Sequence, residues 1–164
     1  MSEFNYYIKT DYKALLQNGD DFLEAAWRCA GRDESGKLII MTGNRLSMIP
    51  AATVVNAAFS IEMYLKSLLL FTGIDYPTDK NGHNILYLFK LLPDAIKTKI
   101  NWFCSGKKHE KPSFENFAEK HSKDFIDVRY YVTKTGWQGM DPLIVLMYAF
   151  HLSQATKLIV KNMI

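Results

Sequence analysis

The chain has 164 residues, 48% of them apolar and 23% charged, which excludes a disordered tail, a collagen-like repeat and a coiled-coil rod. A chain of this length buries roughly 68–70% of the surface its unfolded form exposes, so one domain spanning 1–164 can fold without a disulfide or a structural metal. A net charge of +3 permits a nucleic-acid partner without requiring one.

The first residues, Met1 to Lys9, carry Glu3 and two tyrosines where a secretory signal would have a basic start and an apolar stretch. A first helix is expected from about Asp11 to Ala30, with Thr10 as N-cap and Gly31 as stop, and with Leu15, Phe22, Ala26 and Cys29 on its apolar side. Gly19 weakens its middle. From Arg32 to Ile49 the composition turns to Gly, Asp, Ser and Asn around an apolar run, Lys37 to Met41, which fits either a short hairpin turning at Gly43-Asn44 or an ordered loop. Pro50 then opens, and Gly73 closes, a strongly apolar helix over Ala51 to Thr72. After Tyr76-Pro77 and Asn81-Gly82, a short helix is expected from His83 to Leu92, and Pro93 starts another that runs to about Cys104. Ser105 to Lys111 is a polar connection. Pro112 leads into a helix to about Val132 with Phe114, Phe117, His121, Phe125 and Val128 three and four apart, which Gly136 to Gly139 breaks. Asp141 and Pro142 cap a last helix, so apolar in its first half that it is central or faces a second copy of the chain. The expected fold is therefore an all-α bundle of about six helices, with a short hairpin or loop inserted near 37–49.

Chemical signatures are few. Cys29 and Cys104 form no Cys-x-x-Cys pair, which excludes a zinc ribbon or a thioredoxin-like site and leaves two reduced thiols. Glycine-rich phosphate loops, a nucleophile elbow and a calcium loop are absent. His109-Glu110 resembles the start of a zinc-protease motif, but Ser113 stands where the second histidine belongs and Pro112 breaks the helix it needs. The other histidines, His83, His121 and His151, have no metal-ligand spacing, and no metal or cofactor is expected. The uncharged run between Asp141 and Lys157 is shorter than a membrane span and holds His151 and Gln154. A soluble cytoplasmic protein is the expectation.

Glu62 falls in line with Val55, Ala58, Leu65 and Leu69, on the apolar side of its helix, where a carboxylate needs a partner. Lys66, one turn on, makes a surface pair worth about 0.2–0.5 kcal/mol the simplest reading. The competing reading takes a cation from another helix, and Arg129, set among Val128, Tyr130 and Tyr131, is the outstanding donor. Lys97, Lys99, Lys107, Lys108 and Lys111 cluster around Trp102 and Phe103. That pattern fits solvated lysines over packed aromatics, or a phosphate-binding and base-stacking surface.

Three blocks carry a resemblance: Asn56-Ala-Ala-Phe-Ser-Ile-Glu62-Met-Tyr-Leu-Lys66-Ser-Leu-Leu, preceded by Pro50-Ala51; Gly82-His83-Asn-Ile-Leu-Tyr-Leu-Phe; and Phe125-Ile-Asp-Val-Arg129-Tyr130. In that order, over about residues 50 to 131, they resemble bacterial HEPN-domain proteins (higher eukaryotes and prokaryotes nucleotide-binding). The resemblance implies an all-α bundle, dimerisation through the helices that bear the site, and roles in RNA binding or cleavage, toxin–antitoxin pairs or phage defence. It places a binding site at Glu62, Lys66, His83, Arg129 and Tyr130. Ribonucleases of the family follow an arginine, after four to six residues, with a histidine. Here Lys134, Thr135 and Gly136 occupy those positions after Arg129, so the proton-carrying half is missing and His121 lies on the wrong side of Arg129. The expected function is binding of RNA or of a protein partner, such as a nucleotidyltransferase, by a homodimer without catalysis. Two alternatives remain: a metal-independent ribonuclease that uses Arg129 with His121 or His83, and a small-ligand or nucleotide-binding domain around Glu62, Lys66 and Arg129.

Overall fold

The fold comes from a computed structural model that describes residues 11–32, 35, 49–106, 111–129 and 141–163, with the side chains of 123–129 and 163 outside that description. Among the described residues there are six α-helices and a single turn of 3-10 helix, an all-α bundle as the sequence pattern requires. The 37–48 stretch, where a hairpin or loop was expected, lies outside the described residues.

Helix α1 (Tyr12–Cys29) is capped by Asp11, whose carboxylate accepts from the Lys13 amide, so the cap falls one residue later than Thr10. Its core face is also rotated from the expected one. Leu15, Gly19, Leu23 and Ala26 are buried, while Phe22 and Cys29 are half-buried. The cause is Gly19. A Cβ there would stand 2.7 Å from Cε1 of Tyr64, so the missing side chain lets the following helix approach closely, and Ser60 Oγ donates to the Gly19 carbonyl at 2.9 Å.

Helix α2 (Pro50–Phe71) is the centre of the bundle: α1, α3, α5 and α6 all pack on it. Val54, Ala57, Ile61, Tyr64, Leu65, Leu68 and Leu69 are wholly buried, each large aliphatic side chain contributing about 1.5–3 kcal/mol by leaving water. The helix ends in a Schellman turn. Gly73, at φ +75°, lets the Ile74 amide donate to the Leu69 carbonyl and the Gly73 amide to the Leu70 carbonyl, which turns the chain back along α2.

A 3-10 turn (Lys80–His83) and α3 (Ile85–Leu91) follow, then α4 (Asp94–Ser105), α5 (Phe114–Arg129) and α6 (Pro142–Met163). His83 thus ends the 3-10 turn instead of opening α3. Asn84 is the N-cap, its side chain accepting from the Tyr87 amide at 3.0 Å. Asp141 caps α6 through the Leu143 amide at 2.9 Å. In α6, Val145, Leu146, Tyr148 and Ala149 are buried, whereas Leu143 and Ile144 are 45% and 44% exposed, so the bundle uses most of this helix's apolar surface and leaves its first turn uncovered. Two segments, α2 and Pro142–Asn162, are long and apolar enough to cross a membrane by length and composition, and the bundle buries 67% and 50% of them.

Candidate functional site

The centre of α2 carries the most unusual group in the fold. Glu62 is only 2% exposed and Lys66 only 8%, yet both are ionisable and sit one helical turn apart. Lys66 Nζ donates to Glu62 Oε1 at 2.8 Å. The pair expected at the surface is therefore present but buried, where breaking it costs far more than the few tenths of a kcal/mol of a solvated pair.

Two features of the returning chain build the rest of the site. Beyond the Gly73 turn, Tyr76 lies over Lys66, with the ammonium 4.8 Å from the ring centroid, so the cation meets a carboxylate on one side and an aromatic ring on another. The 3-10 turn then delivers His83, whose Nδ1 lies 3.1 Å from the same Glu62 Oε1. Asp79 caps this turn by accepting from the Asn81 amide at 2.9 Å. Gly82 has its own steric reason: any Cβ there would overlap the Pro77 carbonyl oxygen, so only glycine lets the turn close over the Tyr76-Pro77 segment and hold His83 against Glu62.

Exposure divides the cluster. The His83 side chain is 47% exposed while that of Glu62 is 2% exposed, so a buried anion anchors a histidine at the protein surface. Burial, and then the Lys66 ammonium, hold the His83 imidazole below its ordinary value, which favours the neutral ring. Where Glu62 is ionised beside the Lys66 ammonium it only accepts hydrogen bonds, and a neutral His83 ring then donates from Nδ1–H to Glu62 and keeps Nε2 as an acceptor. Burial likewise lowers the Lys66 ammonium, opposed in part by Tyr76.

Glu62, Lys66 and His83 are thus brought together from the residues expected of the site. The backbone of α5 reaches Arg129 and α5 packs against α2, but the Arg129 side chain and all of Tyr130 lie outside the described residues, and the expected Glu62–Arg129 pairing lies there with them. His121 sits in α5 with its ring 5.3 Å from that of Phe117, which itself stacks on Tyr148 at 3.9 Å. Tyr76 and Gly82 were not foreseen as parts of the site. The signal for both was the Gly73 stop, which sends the next residues back over the helix just ended. Among the described residues no group of three or more His, Cys, Asp and Glu side chains could hold a metal ion. No family model, curated protein or solved structure matches the chain.

Proposed function

We propose that this chain is a HEPN-like helical domain that binds single-stranded RNA without cleaving it, with His83 touching the RNA and the Glu62–Lys66 pair orienting His83. The observation that supports it is a half-exposed imidazole fixed by a buried carboxylate. Its Nε2, presented as an acceptor, suits the ribose 2′-hydroxyl, the donor that distinguishes RNA from DNA. In this reading the protein acts in the cytoplasm, in a stress, toxin–antitoxin or defence setting. It works as a homodimer that covers Leu143 and Ile144, with a protein such as a nucleotidyltransferase as cognate partner.

The test compares a labelled RNA decamer with DNA of the same sequence by fluorescence anisotropy, in chelator and over a salt series. Wild-type protein should bind RNA more tightly than DNA, lose affinity steeply with salt and leave the RNA intact. His83→Ala should abolish the preference for RNA with only a modest fall in melting temperature, because Lys66 still pairs Glu62 once the half-exposed ring is gone. An unchanged preference in His83→Ala removes His83 from the interface and refutes the proposal.

The same geometry favours one second reading, because a fixed Nε2 acceptor facing a 2′-hydroxyl is also a general base. Chelator-resistant cleavage lost in His83→Ala would make the protein a metal-independent ribonuclease. Cleavage lost instead in both Arg129→Ala and His121→Ala would place the chemistry on α5.

A further inference from the structure

A second feature lies between α4 and α6. Helix α4 packs its Ile96, Ile100 and Cys104 edge into the core, and Trp102, about 200° around the helix from Ile100 at 100° per residue, falls outside that edge. It is 50% exposed, which sets it apart from the packed aromatic that was one of the two readings of this pattern. Its ring is held edge-to-face against Phe103, with centroids 5.2 Å apart and planes at 85°, so the aromatic wall is propped in place. Trp102 and Phe103 form one side of a cleft of about 340 Å³, and Leu158 and Ile159 of α6 form the other. The floor residue Ile159 is 1% exposed and the rim residue Leu158 is 42% exposed.

The polar groups of the cleft are few. Thr98 and Asn162 bring neutral hydrogen-bonding groups, and among the described residues Lys99 is the single charged residue lining it. Lys99 forms no ion pair among the described residues, whereas Lys97 on the same helix is tied to Asp94 at 2.7 Å. A slot with an aromatic wall, an aliphatic floor, two neutral polar groups and one cation that no described carboxylate pairs is shaped for a flat heterocycle that carries an anionic group. In single-stranded RNA the base supplies the π-face and the adjoining phosphate the charge.

We infer that the α4–α6 cleft is a nucleotide-binding subsite for single-stranded RNA, in which one base stacks on Trp102 and the adjoining phosphate meets Lys99. The inference rests on the RNA-binding reading and adds to it a contact separate from the His83 cluster.

The experiment uses the full chain and a fluorescein-labelled oligo(A) decamer at 50 mM salt. Trp102→Leu keeps an apolar side chain over Ile159 but removes the stacking face, and should weaken binding roughly 5- to 150-fold, the range for loss of one base–aromatic stack. Trp102→Phe keeps an aromatic face and should recover most of that loss, which a merely structural role would not require. Lys99→Gln should lower the slope of log affinity against log salt by about 0.7, the contribution of one phosphate contact on a single strand. Affinity and salt slope unchanged in all three variants, with wild-type protein binding normally, would overturn the subsite and leave the His83 reading standing. A wild-type protein that binds no RNA would overturn both. Unchanged affinity together with altered sedimentation of Trp102→Leu would assign the cleft to contact between copies of the chain.

Discussion

Removing the charge of Glu62 tests whether the central pair is as deep as its geometry indicates. Glu62→Met keeps an unbranched, volume-filling side chain in α2 but leaves the Lys66 ammonium, 8% exposed, facing only the Tyr76 ring. Loss of one partner of a buried pair costs about 3–5 kcal/mol. The His83 contact adds little to that sum because half of that ring is in water. For a domain of this size each kcal/mol lowers the melting temperature by about 2–4 °C, so the variant should melt about 6–20 °C below the parent. Lys66→Met should show a loss of similar size, since it leaves the Glu62 carboxylate without its nearest cation. The decisive variant is the double one. Glu62→Met with Lys66→Met removes both charges at once and should recover most of the loss, because a buried pair is seldom more stable than an apolar pair of the same volume. Urea denaturation of the four proteins closes a double-mutant cycle, and the two sites should couple by about 2 kcal/mol or more. If the losses simply add, with coupling below about 0.5 kcal/mol, the two side chains act independently and the buried-pair argument is refuted.

Gly82→Ala forces a Cβ onto the Pro77 carbonyl, a backbone atom that cannot swing aside, and should cost about 1–3 kcal/mol while weakening RNA binding as His83 is displaced; a variant equal to wild type in both melting and anisotropy would contradict it. His83 and His151 are both held below the ordinary histidine value of 6.5, chiefly by burial and then by Lys66 and Lys111 respectively, so the unfolded chain binds more protons than the folded one just below that pH. Stability is therefore complete above about pH 6.5 and lost as pH falls towards the folded values, and melts from pH 7.5 to 5.5 should show a slope that flattens in His83→Gln with His151→Gln; an unchanged slope counts against it. Cys104 is wholly buried and its thiol is pushed up to about 12, while Cys29 is half-buried beside Asn56, so an aromatic disulfide reagent at pH 8 should titrate Cys29 in the native protein and Cys104 only on unfolding. Equal rapid reaction of both would refute that assignment.

The helices were legible where local chemistry and apolar period agree. Pro50 and Gly73 bracket α2 because a proline suits the first turn and a glycine the left-handed residue after the last, and Asp141 marks α6 because its carboxylate meets an orphan amide. Depth and rotation were harder to see. Periodicity counts side chains, so it passed over Gly19 as a weak point of α1, whereas the close approach to Tyr64 makes that position part of the core and draws Leu23 inward in place of Phe22 and Cys29. In the 73–83 segment His83 was legible through the Gly82-His83 block, and the rest only as punctuation. A turn residue shows that the chain reverses, but what it reverses onto depends on contacts that local sequence does not encode.

That limit bears directly on the site. The spacing of Glu62 and Lys66 is the same for a solvated pair and a buried one, because both residues lie on one helix; the difference lies in what covers them, and the covering residues are Tyr76 and His83. An ion pair in the middle of the most buried helix contributes little that leucine and methionine would not, and leaves a penalty if either partner is lost. On the proposed function, its presence is explained by what an apolar pair could not do, which is to hold His83 in one direction through the 3.1 Å contact. Burial keeps Glu62 aimed, Lys66 sets a cation 2.8 Å from it, and Gly82 leaves room for the turn to close. These three conditions meet at a single imidazole that alone among them reaches water, and the function of the cluster is therefore sought at His83 Nε2.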